Sequence, residues 1–195
     1  MTISLRDSLR RRKPEKRRGP LQPRGRAGLV AAEDLRLTGR PTIVPDTNVY
    51  IMAAEGTLPV AAASLAERAL LFHCSVCLGE LATGVANADP SRPTWPAIRD
   101  HYAALIDAVP ESRLIVPDGQ AWLEAGVIAG ALARMQGFQK HQRKECLNDA
   151  LIYLSAAKAG LPVLTANRDE FDIIQQIAPE GRFIHFLSGK RWNWR

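Results

Sequence analysis

Carboxylate side chains follow the apolar runs that predict strands, in three separated parts of the chain. Asp46 comes directly after the first run, Glu80 lies one turn into a helix after the second, and Asp149 lies in the first turn of a later helix. Asn167 and Asp169 follow the fourth run. Because reactive groups gather at the carboxyl ends of parallel strands, we expect these five side chains to converge on one crevice.

Three or four carboxylates in one crevice repel each other, and their pKa values rise unless a cation neutralises them. A hard divalent cation with oxygen ligands, Mg²⁺ or Mn²⁺, suits such a site. A cation held there lowers the pKa of a water molecule and stabilises negative charge on a phosphate, and two cations would stabilise both the attacking and the leaving oxygen. Since the chain has no glycine-rich phosphate-binding motif, the pattern favours cleavage of a phosphodiester.

Each acid alone has a simpler interpretation. A carboxylate at a strand end or a helix start often caps the helix or interacts favourably with its dipole. Two local contexts argue against that interpretation here. Glu80 lies inside a mostly apolar helix, where an unpartnered carboxylate is costly, and Asp149 is followed by Ala150, Leu151 and Ile152.

Strands alternate with helices from residue 41 onward. Apolar runs bounded by proline and polar residues predict strands, and apolar residues at helical spacing predict helices of about 10–18 residues between them. This alternation predicts an α/β fold with a parallel sheet covered by helices on both faces. The predicted strands are 42–45, 73–76, 113–116, 162–164 and 182–187, and the predicted helices are 60–71, 77–88, 96–108, 120–137, 149–159 and 168–177. Asn148 could cap the helix 149–159.

The positive charge lies in a basic N-terminal arm. The chain has 195 residues and a formal charge of +6, of which residues 1–40 carry +8 and residues 41–195 carry −2. Like charges mixed with glycine and proline predict disorder in isolation for residues 1–28. We therefore divide the chain into an arm, 1–40, and a domain, 41–195. The arm could contact a phosphate backbone, could be a solvated tail, or could reflect a wrongly chosen start codon.

Two further groups of basic and aromatic residues could contact nucleic acid. The predicted polar connection 138–144 contains Lys140, His141, Arg143 and Lys144, which could hold an RNA backbone or form a solvated basic loop. At the C-terminus, Trp192 and Trp194 alternate with basic residues and could stack on bases or pack as a strap.

Four blocks of the chain, over residues 41–187, resemble PIN domains, and the VapC-type toxins of bacterial type II toxin–antitoxin modules are the best match among them. The blocks are PDTNVYI, SVCLGELATGV, NDALIYLSAAKAGLPVLTANRDEF and RFIHF. The resemblance implies a Rossmann-like α/β/α sandwich with a parallel sheet of four to five strands. Proteins of this type usually begin a few residues before the first Asp, whereas here 45 residues precede Asp46.

The resemblance also implies an Mg²⁺- or Mn²⁺-dependent endoribonuclease. Asp46, Glu80 and Asp149 match the three best-defined acidic positions, which would bind the metal. Asn167 fills a fourth position that holds Asp in some members and Asn in others, and Asp169 could serve there instead. Thr47 and Thr165 match polar positions that support the acids. The expected products are a 5′-phosphate and a 3′-hydroxyl.

The expected partners follow from the same resemblance: an RNA substrate, a cognate antitoxin protein and a second copy of the chain, contacted through helices 60–71 and 78–88. No run approaches the ~18 apolar residues of a membrane span, and three cysteines cannot form a fully paired disulfide framework, which favours the reducing cytoplasm. An alternative function is a catalytically silent nucleic-acid-binding protein that acts through its basic arm.

Overall fold

A computed structural model describes residues 3–36 and 38–188. The strands are β1 (Val30–Ala31), β2 (Thr42–Pro45), β3 (Leu70–Leu71), β4 (His73–Cys74), β5 (Leu114–Ile115), β6 (Pro162–Thr165) and β7 (Arg182–His185). The centre of the fold is a parallel sheet of five strands in the order β1-β7-β6-β2-β3. A separate parallel pair, β4-β5, lies beside it.

Helices cover both faces of the sheet, as the alternation of strands and helices predicts. One hydrophobic core joins the Val44 and Val163 face of the sheet to helices α4, α6, α7 and α8. The other joins the Ile43 and Leu164 face to α2 and α3. The helices are α1 (Leu5–Arg12), α2 (Thr47–Ala54), α3 (Val60–Arg68), α4 (Ser75–Asn87), α5 (Trp95–Asp107), α6 (Gly119–Gln136), α7 (Lys140–Lys158) and α8 (Arg168–Ile177).

The sheet differs from the sequence prediction at its edges. The strands predicted at 73–76 and 113–116 are two residues long and pair with each other, His73 with Leu114 and Cys74 with Ile115. The outer positions of the main sheet are taken by β3, beside β2, and by β1, beside β7. The sequence does not predict these two strands, because β1 lies in the basic arm and β3 lies at the end of the stretch 60–71 that is predicted as a helix, whereas helix α3 ends at Arg68.

The start of α7 corrects the prediction that residues 138–144 form a polar connection. The helix begins at Lys140 instead, and the Gln142 side chain accepts a hydrogen bond from the backbone N–H of Gln139 at 2.6 Å. This capping contact satisfies a backbone donor that the first turn leaves without a helical partner. As a consequence Asp149 lies in the middle of α7 and not in a first turn.

The N-terminal segment packs on the domain, whereas its composition predicts disorder in isolation. Helix α1 lies along α6, where Arg11 and Arg12 bind Glu124. Further along, Arg24 binds Asp172 of α8 at 2.6 Å. Pairing with acids more than 100 residues away supplies the stabilisation that the segment lacks by itself. The division of the chain after residue 40 stays a prediction.

Two remaining expectations concern the C-terminal tryptophans and membrane-spanning helices. Trp192 and Trp194 lie outside the described residues. None of the helices within residues 3–36 and 38–188 combines the length and apolar character that crossing a bilayer requires.

Candidate functional site

The carboxyl edge of the sheet brings together three of the predicted acids, here called the acidic site: Asp46, Glu80 and Asp149. Asp46 ends β2 and caps α2, Glu80 lies on α4, and Asp149 lies on α7. Their proximity is expressed in their electrostatics, because the charges of Asp46 and Glu80 both raise the pKa of Asp149.

Asp46 is held by three donors and is 2 % exposed. It accepts hydrogen bonds from the backbone N–H of Thr47 and from the Thr165 hydroxyl, both at 2.7 Å, and from the Asn48 amide. Burial and the charge of Glu80 nevertheless raise the pKa of Asp46 to about 7, although the Thr165 hydrogen bond opposes the shift. The local network fixes the orientation of this carboxylate without neutralising it.

Glu80 is held by neighbours from two other helices. The Thr47 hydroxyl donates to its Oε2, and the Asn148 amide donates to its Oε1 at 2.7 Å. This contact corrects the expectation that Asn148 caps a helix: since α7 starts at Lys140, the Asn148 side chain is free to join α7 to α4. The predicted supporting roles of Thr47 and Thr165 match these contacts.

Asp149 is the least compensated of the three acids. It is 7 % exposed, and its Oδ2 has no hydrogen-bond partner among the described residues. Burial raises its pKa well above the usual range, and the charges of Asp46, Glu80 and Glu170 add to the effect. An uncompensated buried carboxylate next to other carboxylates is a marker of function, since it destabilises the fold.

The two candidates for the fourth position differ in their surroundings. Asn167 directs a buried Oδ1 that has no hydrogen-bond partner within the described residues, and its backbone N–H donates to the Thr165 hydroxyl at 2.9 Å. Asp169 is half exposed and paired with Arg168 at 2.6 Å. The geometry therefore connects Asn167, and not Asp169, to the network around Asp46.

Sequence reasoning missed two residues of the site. Asn48 donates to Asp46 and to the Thr165 hydroxyl and accepts from the backbone N–H of Ala166 at 3.0 Å, so it joins β2 to β6. Glu170 is 7 % exposed on α8 and acts on Asp149 through its charge. The signal for Glu170 was its spacing four residues before the buried Ile174, which places both on the inner face of α8.

The donor set fits a hard divalent cation, although it is not assembled as a finished metal site. No three histidine, cysteine or acidic side chains within residues 3–36 and 38–188 form a group ready to hold a metal. Both oxygens of Asp46 and of Glu80 accept hydrogen bonds from neutral groups instead. Asp149 and Asn167, however, each leave a buried oxygen without a partner, and oxygen donors are the ligands that Mg²⁺ and Mn²⁺ prefer.

Comparison with known proteins identifies the fold. No family model matches the chain, and no curated protein matches its sequence. The solved structures that are similar to this chain include VapBC2 from Rickettsia felis bound to a promoter DNA fragment, and VapBC-1 from nontypeable Haemophilus influenzae. VapBC2 is 16 % identical to this chain and VapBC-1 is 18 % identical. Each match covers 78 % of this chain with a TM-score of 0.51, and it covers 99 % of the VapBC2 chain and 98 % of the VapBC-1 chain. The chain has the PIN-domain fold.

A surface cleft of about 630 Å³ opens beside the acidic site of this PIN-domain fold. Glu80 and Asn148 form part of its wall, and His141 and Lys144 of α7 extend it. Lys140 and Arg143, the other basic residues predicted to hold RNA, do not contribute to this wall. Arg143 instead donates to the backbone carbonyl of Phe138 at 3.1 Å. The structure therefore places His141 and Lys144 in the cleft wall and Lys140 and Arg143 outside it.

Proposed function

We propose that this protein is a metal-dependent endoribonuclease and the toxin of a type II toxin–antitoxin module. The observation that carries the proposal is the uncompensated acidic site at the carboxyl edge of a PIN-domain sheet. Burying Asp46 and Asp149 beside Glu80 costs stability, and a structural role alone would favour neutral residues there. The binding of a divalent cation and a phosphodiester would explain why the fold keeps these carboxylates despite the loss of stability.

In the proposed reaction, Asp46, Glu80 and Asp149 would hold one or two Mg²⁺ or Mn²⁺ ions. Such an ion, when bound, makes water more acidic and stabilises negative charge on the phosphate. Thr165 and Thr47 keep the carboxylates of Asp46 and Glu80 oriented. Asp149 Oδ2, which has no partner among the described residues, has lone pairs free to bind such an ion, and one of the three carboxylates would accept a proton from the attacking water. The products are a 5′-phosphate and a 3′-hydroxyl.

The catalytically silent alternative depends on a basic arm that is available to bind nucleic acid. Three of its arginines are already engaged, since Arg11 and Arg12 bind Glu124 and Arg24 binds Asp172. An arginine held by a carboxylate has less charge to offer a phosphate. These contacts favour the enzymatic function over the silent one.

The test is cleavage of total RNA by the purified full chain with Mg²⁺, with Mn²⁺ and with EDTA. Asp149→Asn removes the charge at the proposed site, and Asp107→Asn is the matched control on the exposed end of α5. We expect discrete fragments from the wild type and the control, and none with EDTA or with Asp149→Asn. Cleavage that persists in EDTA, or in Asp149→Asn, would contradict the proposal.

The toxin assignment has its own test. The two similar structures are VapBC complexes, and we propose by analogy that a small antitoxin, encoded by a short reading frame next to this gene, silences the chain. Induced wild-type protein is expected to stop growth, Asp149→Asn to allow it, and coexpression of the neighbouring product to restore it. Growth arrest by both forms of the chain would separate toxicity from the acidic site.

A further inference from the structure

The cleft beside the acidic site extends well beyond the carboxylates. Its wall runs from Glu80 on α4 to Trp122 on α6, with α7 along one side. The volume of about 630 Å³ lies within the range of roughly 300–1,000 Å³ that is usual for small-ligand sites. It therefore has room for a group larger than the phosphate that would react at the acidic site.

One end of the cleft is an apolar surface built around an exposed tryptophan. Trp122 is 50 % exposed although it belongs to a helix whose other face fills the core. Val116, which is 65 % exposed, and Pro117 line the same end of the cleft. A half-exposed tryptophan in the wall of a cleft offers a stacking surface for a planar ring, such as a nucleobase.

The side of the cleft between this apolar end and the acidic site presents the basic side chains of α7. His141, Lys144 and Asn148 recur at intervals of three and four residues, so they share one face of α7. Lys144 is exposed, and no carboxylate pairs with it in the part of the chain that the structure describes. Glu145 lines the cleft as well, and with His141 counted as neutral its charge cancels that of Lys144. A phosphate contact therefore depends on the position of the Lys144 ammonium group and not on a net positive charge.

We propose that this cleft binds one unpaired nucleotide of an RNA strand, adjacent to the phosphate that is cleaved. Its base stacks on Trp122, and its phosphate is held by Lys144 and His141. The proposal rests on the ribonuclease function above and specifies the form of its substrate. A base inside a double helix is stacked on its neighbours and cannot lie against Trp122, so the site selects single strands and loops.

Binding in EDTA tests the cleft separately from cleavage. The affinity of the full chain for a labelled single-stranded RNA is measured by fluorescence anisotropy, beside the same strand in a duplex. Trp122→Ala is expected to weaken single-strand binding about tenfold, in line with the ~1–3 kcal/mol of one stacked base, and Trp122→Phe to retain most of the affinity. Trp95→Ala, at the start of α5, is the aromatic control.

The phosphate contact is tested by charge. Lys144→Ala is expected to weaken binding several-fold and to lower the salt dependence by about one phosphate contact. Lys140→Ala makes the same change one turn earlier on α7, outside the cleft wall, and is expected to have less effect. If both variants lost the same amount of affinity, Lys144 would contribute only general positive charge. Its proposed contact with the phosphate would then be overturned.

An abasic nucleotide gives the decisive comparison. The abasic nucleotide is placed at each position of the strand in turn, and at one position it should weaken binding to the wild type. At that position it should not weaken binding to Trp122→Ala any further, because the missing base and the missing tryptophan remove the same contact. Independent, additive losses would overturn the stacking proposal, as would equal affinity for single strand and duplex. If binding follows these expectations but no RNA is cleaved, the ribonuclease function fails while the nucleotide site stands.

Discussion

Two clusters of buried charge differ in how they are compensated. In the arm cluster, Arg12, Glu124 and Glu180, opposite charges meet: Arg12 is 3 % and Glu124 4 % exposed, and Arg12 binds both acids. Burial tends to raise the pKa of Glu180, but the hydrogen bonds and charge of Arg12 outweigh it, so the pKa is lowered. In the acidic site, burial raises the pKa of Asp46 and of Asp149, and the like charges that meet there raise it further.

The difference separates two uses of buried charge in one chain. A buried ion pair costs desolvation and regains it by pairing, so it can hold a segment in place. A buried group of like charges gains nothing from the fold until a cation or a substrate arrives. We therefore expect changes in the arm cluster to affect stability, and changes in the acidic site to affect activity.

The largest expected effect is on cleavage. Asp46→Asn and Asp149→Asn each remove a charge from the acidic site, and each should lower the cleavage rate by a thousandfold or more, about 4 kcal/mol of transition-state stabilisation. Arg12→Ala should change the rate little at a temperature where the protein is folded. Initial rates on one RNA substrate provide the measurement. If Arg12→Ala lost much of its cleavage rate while it was fully folded, the proposed distinction between a stabilising arm cluster and a reactive acidic site would fail.

The second effect is on stability, in the arm cluster. Among the described residues, Arg12→Ala leaves the buried Glu124 with the exposed Arg11 as its ion-pair partner and a hydrogen bond from Gln120 at 3.2 Å. Removing one partner of a buried pair costs about 3 kcal/mol. The melting temperature should fall by roughly 6–12 °C for a chain of this size. Arg10→Ala is the control, because Arg10 forms an exposed pair with Asp7 of the kind that contributes little.

The contrast between the clusters also shows what the sequence could predict. Asp46, Glu80 and Asp149 were predictable because each follows a recognisable strand or lies in an apolar helix, and parallel strands bring such positions to one edge. The arm cluster was not, because Arg12 lies 112 residues from Glu124 and 168 from Glu180. Local composition contains no trace of that pairing, so it predicted disorder. Asn148 was misread for a related reason, since the helix start at Lys140 was hidden in a polar stretch.

The third expected effect is an increase in stability, whereas a mutation usually decreases it. Without metal, Asp149→Asn should raise the melting temperature, because it removes a buried charge that Asp46 and Glu80 repel. An acid whose pKa is higher in the folded than in the unfolded state lowers the stability of the fold as the pH rises. The effect is complete above the pKa of the folded state, where the acid is ionised. The gain should therefore be larger at pH 8 than at pH 5. Thermal unfolding in EDTA at the two pH values measures it, and a loss at pH 8 would contradict it.

A fourth effect comes from the cation itself. Mg²⁺ or Mn²⁺ that binds only the folded chain stabilises it by about 1.4 kcal/mol at ten times its dissociation constant, or roughly 3–6 °C in melting temperature. The rise should be seen in the wild type and in Arg12→Ala, and should be lost in Asp149→Asn. A similar rise in all three proteins would place the cation outside the acidic site.

The smallest effect separates the two candidates for the fourth position. Asp169 pairs with Arg168 where both side chains are partly exposed, so Asp169→Ala should change stability by less than 1 kcal/mol and cleavage by less than about threefold. Asn167 carries a buried oxygen without a partner in the described part of the chain, so Asn167→Ala should lower the cleavage rate at least tenfold, by removing a ligand or substrate contact of about 1.4 kcal/mol. If the two variants exchange these effects, Asp169 is the fourth acid, and its pairing with Arg168 must open before the site can act.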